Sequence, residues 1–562
     1  MKFLCALGVL CGLSFSAFAL DREAFTFTHY NLDVQVEPEQ QRLGVRGRIT
    51  LRNDSSAPQR SFALQISSTL DWRSIQFDGK PVQFVTHQFT SDIDHTGALS
   101  EAIVSLPRAV PPKGTVELDV GYEGVILLNS TRLARIGVPE DKAKHNDWDQ
   151  ISKSFTAVRG IGYVAWYPVA TEAASLAEGD SMPETVGRWV RRHAETAMDL
   201  VLSSTSEQAI YFSGTPSAES QTERSVKTAR AFSLVKPGVS VPTFVIANYQ
   251  KLALTELISI EYLPGQQDAA EAYGEVAAGI HPNIPVGRGS GSLQILSLPD
   301  PDAASFGTEG MLLTPLNSPM TNEAELGMVY AEAYQLVRSP RAWIQEGLAH
   351  YAQAAFIETQ KGRQAALDYL IAHMAALVDA EKGATSAAVS GTKRSLINTP
   401  DDLYPQMKAM YVWWMLKDML GNLPAEALLS YHTNEDTDAT YMQRLIEKNT
   451  HRDLQWFFDD WVYRDCGLPD FRVDSAFSRP METGGFLVTI TVENLGSAGA
   501  EVPVTLQIEG GEIRRRLEVR AKSKASLRIE APSAPQQVTV NDGSVPESDR
   551  SDNTYRIETL NH

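Results

Sequence analysis

From Leu20 to about residue 250, apolar and polar residues alternate with a period of two. Asn31-Leu32-Asp33-Val34-Gln35-Val36 and the run Val45 to Leu51 both read as half-buried strands. Asp78-Gly79, between Ile75-Gln76-Phe77 and Pro81-Val82-Gln83-Phe84, predicts a tight hairpin. Pro111-Pro112-Lys113-Gly114 breaks the chain before a further strand, Val116 to Tyr122. This part predicts a sandwich or saddle of sheets and not a nucleotide-binding fold.

Between about residues 251 and 467 the period changes. Ala269 to Ile280, Thr321 to Arg338, Arg341 to Glu358, Gln364 to Asp379 and Met407 to Leu420 read as helices, with Leu293 to Leu296 and Gly310 to Leu313 as strands between them. Tyr411, Trp413 and Trp414 are expected in the core. Strands return after Phe471. Phe486, Val488, Ile490 and Val492 share one face, and Val502, Val504, Leu506 and Ile508 share another. The chain therefore divides into an N-terminal β domain (20–250), a mainly helical domain (251–467), a C-terminal β-sandwich (468–545) and a charged, loose tail (546–562). The class is multidomain α+β.

The first nineteen residues add Lys2, an apolar run from Phe3 to Leu13 and Ala17-Phe18-Ala19, the pattern of a cleaved secretory signal. The expected mature chain starts at Leu20 and is secreted or periplasmic, with no integral membrane segment left once the signal is removed. Cys5 and Cys11 leave with the signal, so Cys466 has no intrachain disulfide partner and folding must rest on buried core. The formal charge is -19, or -20 without Lys2, which argues against nucleic-acid or anionic-membrane partners.

Several strings in the same order resemble the aminopeptidase N family (membrane alanine aminopeptidases) of gluzincin metallopeptidases. They are His29 to Val34, Ile75 to Val82, Leu118 to Gly124 and Trp166-Tyr167-Pro168-Val169. In the helical block, Trp343-Ile344-Gln345-Glu346-Gly347-Leu348-Ala349 looks like W-L-N-E-G-F-A, whose Glu is the family's third zinc ligand. Phe306-Gly307-Thr308-Glu309-Gly310 looks like a diverged G-x-M-E-N strand, whose Glu grips the substrate amine. The resemblance implies an N-terminal β saddle, a thermolysin-like helical domain, and zinc if the family activity is retained.

The H-E-x-x-H helix is degenerate. Its chemistry needs two imidazoles one helical turn apart, with a Glu between them to take a proton from zinc-bound water. Aligning Glu332 with that Glu puts Ala331 and Gln335 where the histidines belong, and no His occurs between His281 and His350. Ten residues separate Gln335 from Glu346, where the resemblance implies about eighteen. The family's oxyanion Tyr position, before Lys408-Ala409, holds Gln406, with Tyr404 out of register.

Glu332 thus reads as a vestigial general base or a plain helix glutamate. Glu346 reads as a buried carboxylate in need of a partner: Arg338, Arg341 or a substrate amine. His350, one turn after Glu346, reads as a helix-face histidine, and His281 and His373 have no companion at ligand spacing. Gly287 to Gly291 reads as a loop, and neither a serine nor a Cys466 nucleophile has support.

The expectation is a secreted, catalytically degenerate metallopeptidase-like protein. No cofactor is expected, no metal ligand survives except Glu346, and a peptide or protein segment with a free N-terminus is held by Glu309 and Glu346. The alternatives are an active zinc aminopeptidase with non-standard ligands and a purely structural envelope scaffold.

Overall fold

The computed structural model describes residues 20–562 except 179–180, 194, 218–227, 236–239, 281–291, 318, 338, 340, 388–394, 398–402, 422–424, 433–434, 437, 465–466 and 558–562. The expected signal, the glycine-rich run, Arg338, His281 and Cys466 all lie outside the described residues. No described helix is long and apolar enough to cross a membrane.

Sheets come first, then helices, then sheets again. The alternating segments near the N-terminus form an eight-stranded sheet in which Phe25–Glu37 and Arg42–Asn53 are central and pair antiparallel. Alternation does what the pattern requires: Tyr30, Leu32, Val34 and Val36 are all buried on one side. The Asp78-Gly79 hairpin forms, with φ of +51° and +71° at its two turn residues, a left-handed pair that glycine adopts without steric cost. A three-stranded sheet centred on Ala98–Val110 packs against the large one through a shared apolar core.

Three of the family-like strings meet in that core. The Tyr30 hydroxyl donates to the Pro168 carbonyl (2.9 Å) and the Tyr122 hydroxyl to the Trp166 carbonyl (3.1 Å). Tyr30, Tyr122 and Trp166 are buried and hydrogen-bonded, and Tyr167 is buried beside them, so these strings are packing devices.

Among the described residues three helices also interrupt the β region: α1 (Thr131–Arg135), α2 (Glu140–Asn146) and α3 (Ser181–Arg192). A mostly β pattern did not predict them. Two are under eight residues, too short to show a 3.6 period. On α3, Trp189 is buried and His193 stacks on it at 3.7 Å.

The second block begins with α4 (Gln267–Ile280) against a five-stranded mixed sheet, whose strands run in the order Gln250–Ala253, Ile258–Tyr262, Leu293–Ser297, Met311–Thr314, Phe306–Thr308. Then follow α5 (Asn322–Leu336), α6 (Ala342–Lys361), α7 (Arg363–Ala387), α8 (Leu403–Leu420), α9 (Ala425–Leu429), α10 (Tyr441–Thr450) and α11 (Gln455–Phe458). Thr321 caps α5, its hydroxyl accepting from the Ala324 amide.

Tyr411, Trp413 and Trp414 are fully buried, and the Trp413 indole donates to the Trp343 carbonyl (3.0 Å). Gly347 lets α6 and α8 approach closely: a Cβ there would lie 2.6 Å from that of Ala409. The glycine of the Trp343–Ala349 string therefore has a packing role.

The C-terminal strands form a three-stranded and a four-stranded sheet, and the segment after Asn494 crosses from one to the other. Their apolar residues are continuous with the helical core. The Trp461 indole donates to the Gly499 carbonyl (2.7 Å), and Arg363 on α7 and Arg516 in the sandwich both reach Asp418 on α8.

The tail expected to be loose is ordered through residue 557. Thr554–Arg556 pairs with Pro535–Val540. Buried Glu547 accepts from the side-chain amides of Asn541 (2.6 Å) and Asn553 (2.5 Å) and from the Phe471 amide (3.3 Å). Its charged composition hid a carboxylate that turns inward and finds three donors.

Candidate functional site

Helices α5 and α6 lie side by side and carry four of the expected positions. Ala331, Glu332 and Gln335 are buried on α5. Glu346, one turn into α6, receives a hydrogen bond from the Tyr330 hydroxyl. Burial pushes the Glu346 carboxyl above its ordinary range, and the Tyr330 bond opposes that rise. Of the expected partners, Arg341 does not pair with it, and Arg338 lies outside the described residues. Arg341 instead binds Asp436 (Nε to Oδ1, 2.7 Å), and the other oxygen of Asp436 takes the Tyr431 hydroxyl (2.6 Å). Arg341 stands just before the first residue of α6, and its side chain turns to the buried carboxylate of Asp436.

Glu332 acts on a different neighbour. Burial pushes the phenol of Tyr273, on α4, upward, and the charge of Glu332 adds to the rise. No described hydrogen bond or ion pair joins Glu332, Glu346 and Glu309.

His350 is a helix-face histidine, as expected. Its Nδ1 lies 3.0 Å from the Gln353 side-chain oxygen, its ring lies 4.9 Å from that of Tyr330, and burial drives its imidazole down to about 4. His373 Nδ1 meets the Tyr369 carbonyl at 2.7 Å.

Glu309 sits in the two-residue turn between Phe306–Thr308 and Met311–Thr314, followed by Gly310 at φ +70°. It is therefore a turn carboxylate at the edge of the sheet and not a strand residue. The Ser240 hydroxyl donates to its Oε2 (3.0 Å), and the Thr308 hydroxyl donates to the Val241 carbonyl (3.1 Å), docking the turn on the N-terminal half. Behind it, Phe306 packs near Arg159, whose guanidinium is sandwiched between Trp148 and Tyr163, 3.7 Å from each ring centroid, and paired with buried Asp149.

Sequence reasoning missed Tyr330. A signal existed in Tyr330 and Tyr334, whose i and i+4 spacing puts them on one face of α5, one residue out of step with Ala331 and Gln335. The donors on α6 do not fit zinc: Glu346 is already hydrogen-bonded to a phenol, His350 is tied to an amide, and among the described residues no group of three His, Cys, Asp or Glu donors gathers around them.

No family model and no curated protein matches the chain. Among solved structures it is similar to an M1 zinc metallopeptidase from Deinococcus radiodurans, with 15% identity and a TM-score of 0.46, covering 77% of this chain and 92% of that one. A mutant of that enzyme bound to a Tyr-Ser-Ala substrate is similar at 15% identity and a TM-score of 0.44, covering 79% and 95%. A likeness at this level decides nothing about the chemistry of α5 and α6, which rests on their own side chains.

Proposed function

We propose that this chain is a secreted, catalytically degenerate metallopeptidase-like protein that binds the free N-terminus of a peptide or protein segment. The observation that carries the reading is the Tyr330 hydroxyl on Glu346, at the position that resembles the third zinc ligand, with Ala331 and Gln335 in place of imidazoles. A carboxylate served by one neutral donor keeps acceptor capacity, and a protonated amine satisfies it with charge-assisted hydrogen bonds. Glu309 provides the second carboxylate of the proposed site. Ala331 and Gln335 offer no imidazole to hold an ion that would acidify water, which leaves Glu332 little to deprotonate, so no hydrolysis is assigned.

Calorimetry with one peptide, unmodified and N-acetylated, tests the proposal. The free form binds more tightly by about 1 to 3 kcal/mol, and Glu309→Gln removes most of that difference. Equal affinities, or no binding across a broad peptide panel, would leave only a structural role. Secretion rests on the leader-like first nineteen residues, and a secreted chain whose N-terminal residue is not Leu20 contradicts the proposed cleavage site.

A further inference from the structure

Away from the helix pair, His145, Asp300 and Asp302 bring one donor atom each to within 4.8 Å of one another. His145 lies in the last turn of α2, in the N-terminal half, whereas the two aspartates lie in the loop between Leu293–Ser297 and Phe306–Thr308 of the mixed sheet. The backbone holds the two segments in register. The Ala304 amide donates to the His145 carbonyl (2.7 Å), and the Trp148 indole donates to the Ala304 carbonyl (3.0 Å). The Asp302 amide also donates to Asp300 Oδ1 (3.0 Å), which fixes the two aspartates relative to one another.

A histidine–aspartate ion pair accounts for only part of this. His145 Nδ1 lies 2.6 Å from Asp300 Oδ2, but the exposed Asp302 carboxylate makes no hydrogen bond or ion pair with any described residue. Even with His145 protonated the trio carries a net negative charge; with neutral imidazole it carries two. Two neighbouring donors on one ion, each at about 2.1 Å and a right angle, stand roughly 3 Å apart, a little more than the 2.6 Å between His145 and Asp300, so that pair opens slightly to admit an ion. The partial exposure of the trio leaves room for water in the other coordination positions.

We propose that His145, Asp300 and Asp302 form a binding site for a first-row divalent cation of the manganese or zinc class, clamping the N-terminal half to the central sheet. One imidazole with two carboxylates suits such ions better than calcium or magnesium, which take oxygen donors. The site is independent of α5 and α6, and its metal is structural.

Manganese alone, titrated into the purified protein and followed by calorimetry and electron paramagnetic resonance, tests this. Wild type binds one ion per chain, and saturating metal raises Tm. Asp302→Asn and His145→Gln each weaken binding tenfold or more. Asp302→Asn leaves the metal-free Tm unchanged, because that carboxylate has no partner to lose. Glu346→Gln, the control at the helix pair, leaves manganese affinity unchanged. Equal affinity in wild type and Asp302→Asn, or no binding at millimolar manganese, overturns the site.

Discussion

The helix pair α5/α6 and the junction around α2 handle buried polarity in opposite ways. At the junction, full charges are buried and paired: Arg159 with Asp149 at 2.7 Å and Arg132 with Asp147 at 2.6 Å, with Arg159 also stacked between two aromatic rings. Between the helices, Tyr330 holds Glu346 through a neutral phenol, and His350 is kept uncharged by burial. Arginine stays ionised at any working pH, whereas a buried carboxyl and imidazole can shed their charge. The junction is thus fixed in charge and geometry, and the helix pair is the region whose charge responds to its surroundings.

The largest effect that could break this contrast is at the junction. Asp149→Ala leaves Arg159 buried without its partner and costs about 3 to 5 kcal/mol in denaturant unfolding. A loss under about 1 kcal/mol would mean that the aromatic rings and the Asn146 carbonyl, which accepts from Arg159 at 2.6 Å, suffice to hold the charge.

Acid titration sharpens the other side. The folded imidazole of His350 is lowered to about 4 from an ordinary value near 6.5. Above pH 6.5 the group costs nothing. As pH falls from 6.5 towards 4 the unfolded chain takes up the proton and the folded chain does not, so stability falls, by on the order of 3 kcal/mol for this group. Glu346 has the opposite sign: its folded carboxyl is raised, so its contribution is greatest at low pH and declines as pH rises above the unfolded value. His193 in the N-terminal half, lowered to about 3, adds acid sensitivity of its own, so the quantity to read is the difference between wild type and His350→Gln. The variant has the flatter stability profile between pH 6.5 and 4; parallel profiles would show His350 to be solvated.

A smaller effect comes from Tyr330→Phe, which deletes the hydroxyl on Glu346 and costs about 1 to 3 kcal/mol at pH 7, less at low pH where the carboxyl protonates. A pH-independent cost would place the loss in ring packing against His350 and not in the hydrogen bond.

How much was legible follows the same division. Periodicity located the strands at Asn31 to Val36 and Val45 to Leu51, the Asp78-Gly79 turn, and the five expected helices, because those signals lie within a few residues of one another. The absence of imidazoles at positions 331 and 335 was legible for the same reason. Of the three partners expected for Glu346, Arg341 is close along the chain but pairs with Asp436, because proximity in sequence does not give direction. Glu309 was read as strand when its local partner, Gly310, makes a turn. The pairing of His145 with Asp300 spans 155 positions, and no local pattern connects segments so far apart. The inward turn of Glu547 was hidden because a charged run reads as solvated until its donors are known.

We propose that the helix pair α5 and α6 holds no zinc. Its most direct test is elemental analysis of zinc in purified Asp302→Asn, the background in which the proposed junction site is weakened. Zinc well below one ion per chain after dialysis is the expected result. One tightly held zinc per chain, lost on adding Glu346→Gln, would contradict it and return the chain to the working metallopeptidases.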